Sequence, residues 1–145
     1  MRPGLIHHGV VAGVAALAML TASCAGEDTG TPGEPPVAAE RPSSTAELSI
    51  TRPENGERIE GNAAKLEVDL RGAEIVDITS TDLQPDQGHL HVVLDGTLVS
   101  MTAGTSQKLT DLSGGEHLLQ VEFVANDHAP FDPRVLAAAS FEVTP

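Results

Sequence analysis

Tryptophan and tyrosine are absent from this chain, and its three phenylalanines all fall in the last quarter. A core must therefore rest on Leu, Val, Ile and Ala, with aromatic bulk at Phe123, Phe131 and Phe141 alone. Cysteine occurs once, at Cys24, which excludes a disulfide within the chain. Basic residues are scarce, since eight Lys and Arg stand against 21 Asp and Glu for a formal net charge of −13. Such a balance excludes nucleic acid as a partner and electrostatic docking on anionic lipid. Catalytic signatures are missing too. The chain has no G-x-S-x-G elbow, no H-E-x-x-H pair and no phosphate-cradling glycine loop. Its many carboxylates carry no spacing that singles out an acid–base pair, so it reads as non-catalytic and in need of no cofactor for chemistry.

What is present begins with an export signal. Arg2 is the one fixed positive charge in a short polar start, and Gly9 to Leu20 is a 12-residue apolar run. That run is too short to span a bilayer as a helix. Thr21-Ala22-Ser23 then leads into Cys24. Residues 1–23 resemble a bacterial lipoprotein signal peptide, which implies cleavage before Cys24 and acylation of that residue, with palmitate among the usual chains. In that motif Leu ordinarily stands three residues before the cysteine; here Thr21 does, and Leu20 lies one step earlier. Without residues 1–23 the chain keeps seven basic residues against 21 acidic ones, a net charge of −14. The expected location is outside the cytoplasm, held to the cell membrane by lipid rather than by charge.

Residues 24–46 are poor in large apolar side chains and rich in Pro, Gly, Glu, Ser and Thr. Such a composition does not offset the entropy of ordering and predicts a disordered tether, reaching on the order of 25 Å as a flexible coil. Residues 47–145 are the expected folded domain. Strand signals recur there and no segment keeps a helical period. Strands are expected over Leu48–Arg52, Lys65–Leu70, Glu74–Ile78, His89–Leu94, Thr97–Met101, Gln107–Leu112, His117–Ala125 and Val135–Val143. Leu66, Val68 and Leu70 share one face, as do Leu119, Val121 and Phe123, and as do Val135, Ala137, Ala139, Phe141 and Val143. Short strands of this number in a domain of this size predict an all-β, immunoglobulin-like sandwich of two antiparallel sheets.

The clearest strand is Gly88-His89-Leu90-His91-Val92-Val93-Leu94, which ends in the hairpin signal Asp95-Gly96. With Pro53-x-Asn55-Gly56, Gly115-x-His117-x-Leu119 and Asp127-His128-x-Pro130, it resembles a family of uncharacterised exported bacterial Ig-like domains. Those domains carry a G-H-x-H strand, a later G-x-H-x-L strand and a D-H-x-P corner in this order. The resemblance covers residues 48–145 and implies the sandwich fold; it assigns no activity. Relatives often show three consecutive histidines at the first motif, where this chain has Leu90 in the middle.

His89 and His91 point to one face of their strand, about 6.6 Å apart along the chain. If this strand pairs antiparallel with His117–Ala125, its start lies beside Asp127 and His128. His89, His91, Asp127 and His128 then gather at one rim, where nitrogen and carboxylate donors suit Cu(II) or Zn(II) better than Ca(II). The metal site is the alternative to a reading in which these histidines are hydrogen-bonding residues that fasten the 79–87 loop and the 127–133 corner, on a non-catalytic binding domain of unknown ligand facing an envelope protein or glycan. Asp127-x-x-Pro130-x-Asp132-Pro133 lacks the glycine and spacing of a calcium loop and reads as a stiff turn. His117 begins on the inward face at the far end of its strand, about 30 Å away, and is expected to be a structural corner.

Overall fold

The computed structural model describes residues 40–144; the expected signal peptide, Cys24 and residues 25–39 of the expected tether lie outside the described residues. Nine strands follow in order: β1 (Glu47–Arg52), β2 (Glu57–Glu60), β3 (Ala64–Arg71), β4 (Glu74–Ile75), β5 (Gln87–Leu94), β6 (Thr97–Thr102), β7 (Ser106–Leu109), β8 (Gly115–Ala125) and β9 (Pro130–Thr144). One sheet has the order β1-β3-β7, and the other runs β2-β9-β8-β5, with β4 and β6 both on the remaining edge of β5. The domain is an all-β, immunoglobulin-like sandwich. Most neighbours are antiparallel, but β2 joins β9 and β4 joins β5 in parallel. Asp95 and Gly96 both have positive φ, at 50° and 80°, which is the type I′ geometry that suits the twist of the β5–β6 hairpin.

The alternation read from the sequence decides which side chains meet between the sheets. Leu90 and Val92 of β5 and Leu119, Val121 and Phe123 of β8 are 0% exposed, and Leu66 and Val68 of β3 face them. Each such side chain stabilises the fold by about 1.5–3 kcal/mol through burial. All three phenylalanines are buried, and Phe123 stacks on Phe131 with centroids 5.5 Å apart.

Four elements depart from the pattern: β9 starts at Pro130 rather than Val135, so the 130–133 part of the expected stiff turn is strand, and three others differ for local reasons. β2 has three charged residues out of four, so it shows no apolar alternation, yet it pairs with the end of β9. The strand expected over Gln107–Leu112 stops at Leu109, because the chain turns at Asp111, whose φ is 60°. The strand expected over Glu74–Ile78 is confined to β4: its last ladder bond is Val76 N–H to Gly88 O, 2.8 Å, and the chain then leaves the sheet.

Residues 40–46 require a correction, because they are ordered against the sandwich and do not belong to a free tether. Ser44 Oγ donates to Pro85 O (2.7 Å) and Thr45 Oγ1 to Gly72 O (2.6 Å), while Asp132 N–H donates to Pro42 O (3.1 Å). Gly72 sits at φ 69°, and a Cβ there would stand 2.4 Å from Thr45 O, so the strap needs glycine at this crossing. Backbone groups and small hydroxyls make these bonds. Hydropathy does not register them.

Candidate functional site

Gly88 opens the histidine strand and sets how closely it approaches β8. A Cβ at Gly88 would lie 2.0 Å from Val124 O and 3.0 Å from the tip of the Phe123 ring. Next along β5, His89 pairs with Val124 and His91 with Glu122, all four turned away from the intersheet core. This outer face is nevertheless covered at its end: His89 is 6% exposed, Glu122 8% and Val124 1%. Part of the cover comes from residues 77–79 after β4, which line a cavity of about 90 Å³ together with His89, Met101 and His128.

His128 reaches this place from the corner between β8 and β9. Its N–H donates to Ala125 O (2.9 Å) and Ala125 N–H donates to Ala129 O (3.1 Å), closing a tight turn with His128 at φ 64°. Left-handed backbone is uncommon for a residue with a side chain and costs of order 1 kcal/mol. The conformation delivers the imidazole to β5. His128 Nδ1 lies 2.7 Å from His89 Nε2 and 3.5 Å from His91 Nε2, and His128 Nε2 lies 3.3 Å from Thr79 Oγ1. One ring nitrogen from each of the three histidines lies within 4.8 Å of the other two. Tetrahedral coordination with metal–nitrogen bonds of about 2.05 Å needs nitrogens about 3.3 Å apart, so small ring movements suffice to fit an ion.

Electrostatics favour the ligating form of His89 and His91. Burial lowers the pKa of His89 below that of a free imidazole, and the neighbouring His128 and His91 lower it further, against the opposing pull of Asp77 and Asp127. His91 is lowered by burial and then by His128, against Glu122. Both are neutral at pH 7 and have lone pairs to offer. Glu122 is already bound in two places by Arg134, with Nε and Nη2 donating at 2.6 Å each.

The expectation for Asp127 is corrected. Its carboxylate accepts from Arg41 Nη1 (2.5 Å) and Nη2 (2.9 Å) and from Ala129 N–H (3.1 Å), which leaves it outside the histidine group. The Arg41 guanidinium beside it holds the Asp127 carboxyl down to about 2. Arg41 also donates to Ala129 O and Pro130 O, so it clamps the whole corner. A planar fork that matches a carboxylate at both oxygens outcompetes a shared role with an imidazole rim. Asp77, Thr79 and Met101, which no motif marks in the sequence, line the cavity instead.

His117 stands at the other end of β8 and has a separate task. Its Nδ1 lies 2.7 Å from Asp95 Oδ2 and its Nε2 2.9 Å from Ser113 O, and the ring stacks on Phe141 at 5.3 Å. Both partners are acceptors, so both ring nitrogens donate and the protonated ring is favoured. The Ser113 carbonyl and the Asp95 carboxylate raise its pKa accordingly. Asp95 Oδ1 also accepts from Leu118 N–H at 2.8 Å, tying the β5–β6 hairpin to β8. With neither ring nitrogen free, His117 is a corner brace.

No protein-family model and no curated protein sequence matches the chain. Similar solved structures include the fibronectin(III)-like modules of Clostridium thermocellum CbhA, at 19% identity over 66% of this chain and 93% of that one, with a TM-score of 0.46. The PKD domain of human KIAA0319 is 15% identical over 78% of this chain and 93% of its own, with a TM-score of 0.45. A CARDB domain from Pyrococcus furiosus, solved in complex with di-metal ions, is 13% identical over 79% of this chain and 100% of its own, with a TM-score of 0.44.

Proposed function

We propose that this chain is an exported, lipid-anchored, non-catalytic binding module whose ligand is one transition-metal ion, Cu(II) or Zn(II), held by His89, His91 and His128. The convergence of three ring nitrogens within 4.8 Å carries the reading. Neutral imidazole suits zinc and copper, whereas calcium and magnesium need several oxygen donors. The cavity of about 90 Å³ fits an ion with a water or two, well below the roughly 300–1,000 Å³ of organic-ligand pockets. Calorimetric titration with Cu(II) and Zn(II) is expected to give one ion per chain. Affinity should weaken as pH falls below the ordinary imidazole range near 6.5, because His89 and His91, held below that value, then take up protons in competition with the ion. His91→Ala should abolish binding, while His117→Ala should lower stability and leave affinity intact.

Thr79 favours a second reading. Through its bond to His128, the three rings would simply brace the 77–79 segment against the β8–β9 corner. In that case Cu(II) and Zn(II) would leave the melting temperature unchanged, and each His→Ala change would lower it without metal. No nucleic-acid partner enters either reading.

Anchoring rests on Cys24 and on the apolar run before it, and has its own test. Metabolic labelling with palmitate should mark the wild-type protein, and Cys24→Ala should lose the label and either leave the membrane fraction or stay uncleaved. An unlabelled wild type whose mature N-terminus lies elsewhere would remove the lipid anchor.

A further inference from the structure

Met101 is the one methionine beyond residue 19, and it is 59% exposed on β6. Exposure excludes the ordinary role of methionine as a filler of core gaps. Its place in the sheet is specific. Met101 is the cross-strand partner of His91 on the edge of β5, so the two side chains stand beside each other on the outer face, with Cβ atoms about 4.5–5.5 Å apart. Met101 also lines the cavity that His89 and His128 line. Met101 therefore stands beside His91 in the ladder and shares a cavity wall with His89 and His128.

Building on the histidine site, we propose that Met101 Sδ is its fourth donor, and that the resulting three-nitrogen, one-sulfur set takes Cu(I) in preference to Zn(II). A thioether is a soft, neutral donor that favours Cu(I), whereas zinc gains little from it and does better with a carboxylate or water. Ring nitrogens serve both ions, so the sulfur decides between them. The competing donor is Asp77, an exposed residue that lines the same cavity. A hard oxygen from Asp77 would bias the site toward Zn(II) and Cu(II). The side chain of Leu has nearly the shape of Met without its sulfur, and the position is exposed, so Met101→Leu leaves the fold in place.

The test uses the exported protein purified in full, with Cu(I) supplied anaerobically against a chromogenic Cu(I) chelator and Zn(II) measured in parallel. Met101→Leu should weaken Cu(I) by roughly 10- to 100-fold, the range seen when supporting groups around a metal are removed. Zn(II) affinity should change little. X-ray absorption at the copper edge of the wild type should show one sulfur neighbour, which needs no variant at all. Equal Cu(I) affinities for Met101→Leu and wild type, or a sulfur-free copper spectrum, would overturn the thioether while leaving the histidine site standing. Asp77→Asn weakening the ion where Met101→Leu does not would give the fourth place to oxygen. Failure of the wild type to bind any of the three ions would remove the histidine site and this proposal together.

Discussion

Phe123→Ala is expected to lower the stability of the domain by about 3–5 kcal/mol. Phe123 is 0% exposed, stacks on Phe131 and lies opposite Leu90 in the β5–β8 ladder. Truncation removes most of a large apolar side chain and leaves a cavity that two paired strands cannot close by moving. A loss of that size is a large share of the 5–15 kcal/mol typical of a whole domain. Gln120→Ala, on the opposite face of β8 and only half-buried, should cost less than about 1 kcal/mol. Denaturant unfolding of both variants checks the pair. Equal losses would mean that β8 presents the other face to the core, because a one-residue slip exchanges the two faces of a strand. Phe123 also touches the site: its ring tip lies under Gly88, so the cavity would loosen the spacing that sets His89 against Val124.

What could be read from the sequence follows from which forces leave a local trace. Alternation in β3, β5, β8 and β9 is a local pattern. It turns Leu90, Val92, Leu119, Val121, Phe123 and Phe141 to one side of their strands, and all six are buried. The Asp95-Gly96 turn and the inward parity of His117 are local as well, and antiparallel pairing of β5 with β8 then brings His89 and His91 to the corner that carries His128. Arg41 left no such trace. It meets Asp127 across 86 residues of sequence from within a Pro-, Ser- and Thr-rich stretch, and nothing in that stretch distinguishes a clamp from a linker. Because that pairing was invisible, Asp127 looked free to bind an ion. The cavity walls were hidden for a related reason: Asp77 and Thr79 arrive there only because the chain leaves the sheet after Val76, and Met101 only because β6 lies in one particular register on β5.

His128→Asn separates ligation from bracing, with a large effect on one quantity and almost none on the other. Asn accepts left-handed backbone more readily than most residues, so the turn at φ 64° is retained. Its amide reaches about as far as the Nδ1 of His128 but not to Nε2, so the exposed bond to Thr79 is lost while one toward His89 can be kept. The metal-free variant should therefore stay within about 1 kcal/mol of the wild type in denaturant unfolding. Affinity is another matter. His128 Nδ1 is the nitrogen that stands between His89 and His91, at 2.7 and 3.5 Å. Without it two imidazoles remain, spaced as neighbours along one strand, and a zinc or copper ion loses a third of its nitrogen donors. A loss of about 100-fold or more is expected, which also removes the rise in melting temperature that saturating metal gives the wild type. The opposite pattern is equally definite. If the metal-free His128→Asn protein unfolds several kcal/mol sooner and the wild type melts identically with and without Cu(I), Cu(II) or Zn(II), the three rings hold the β8–β9 corner and nothing more.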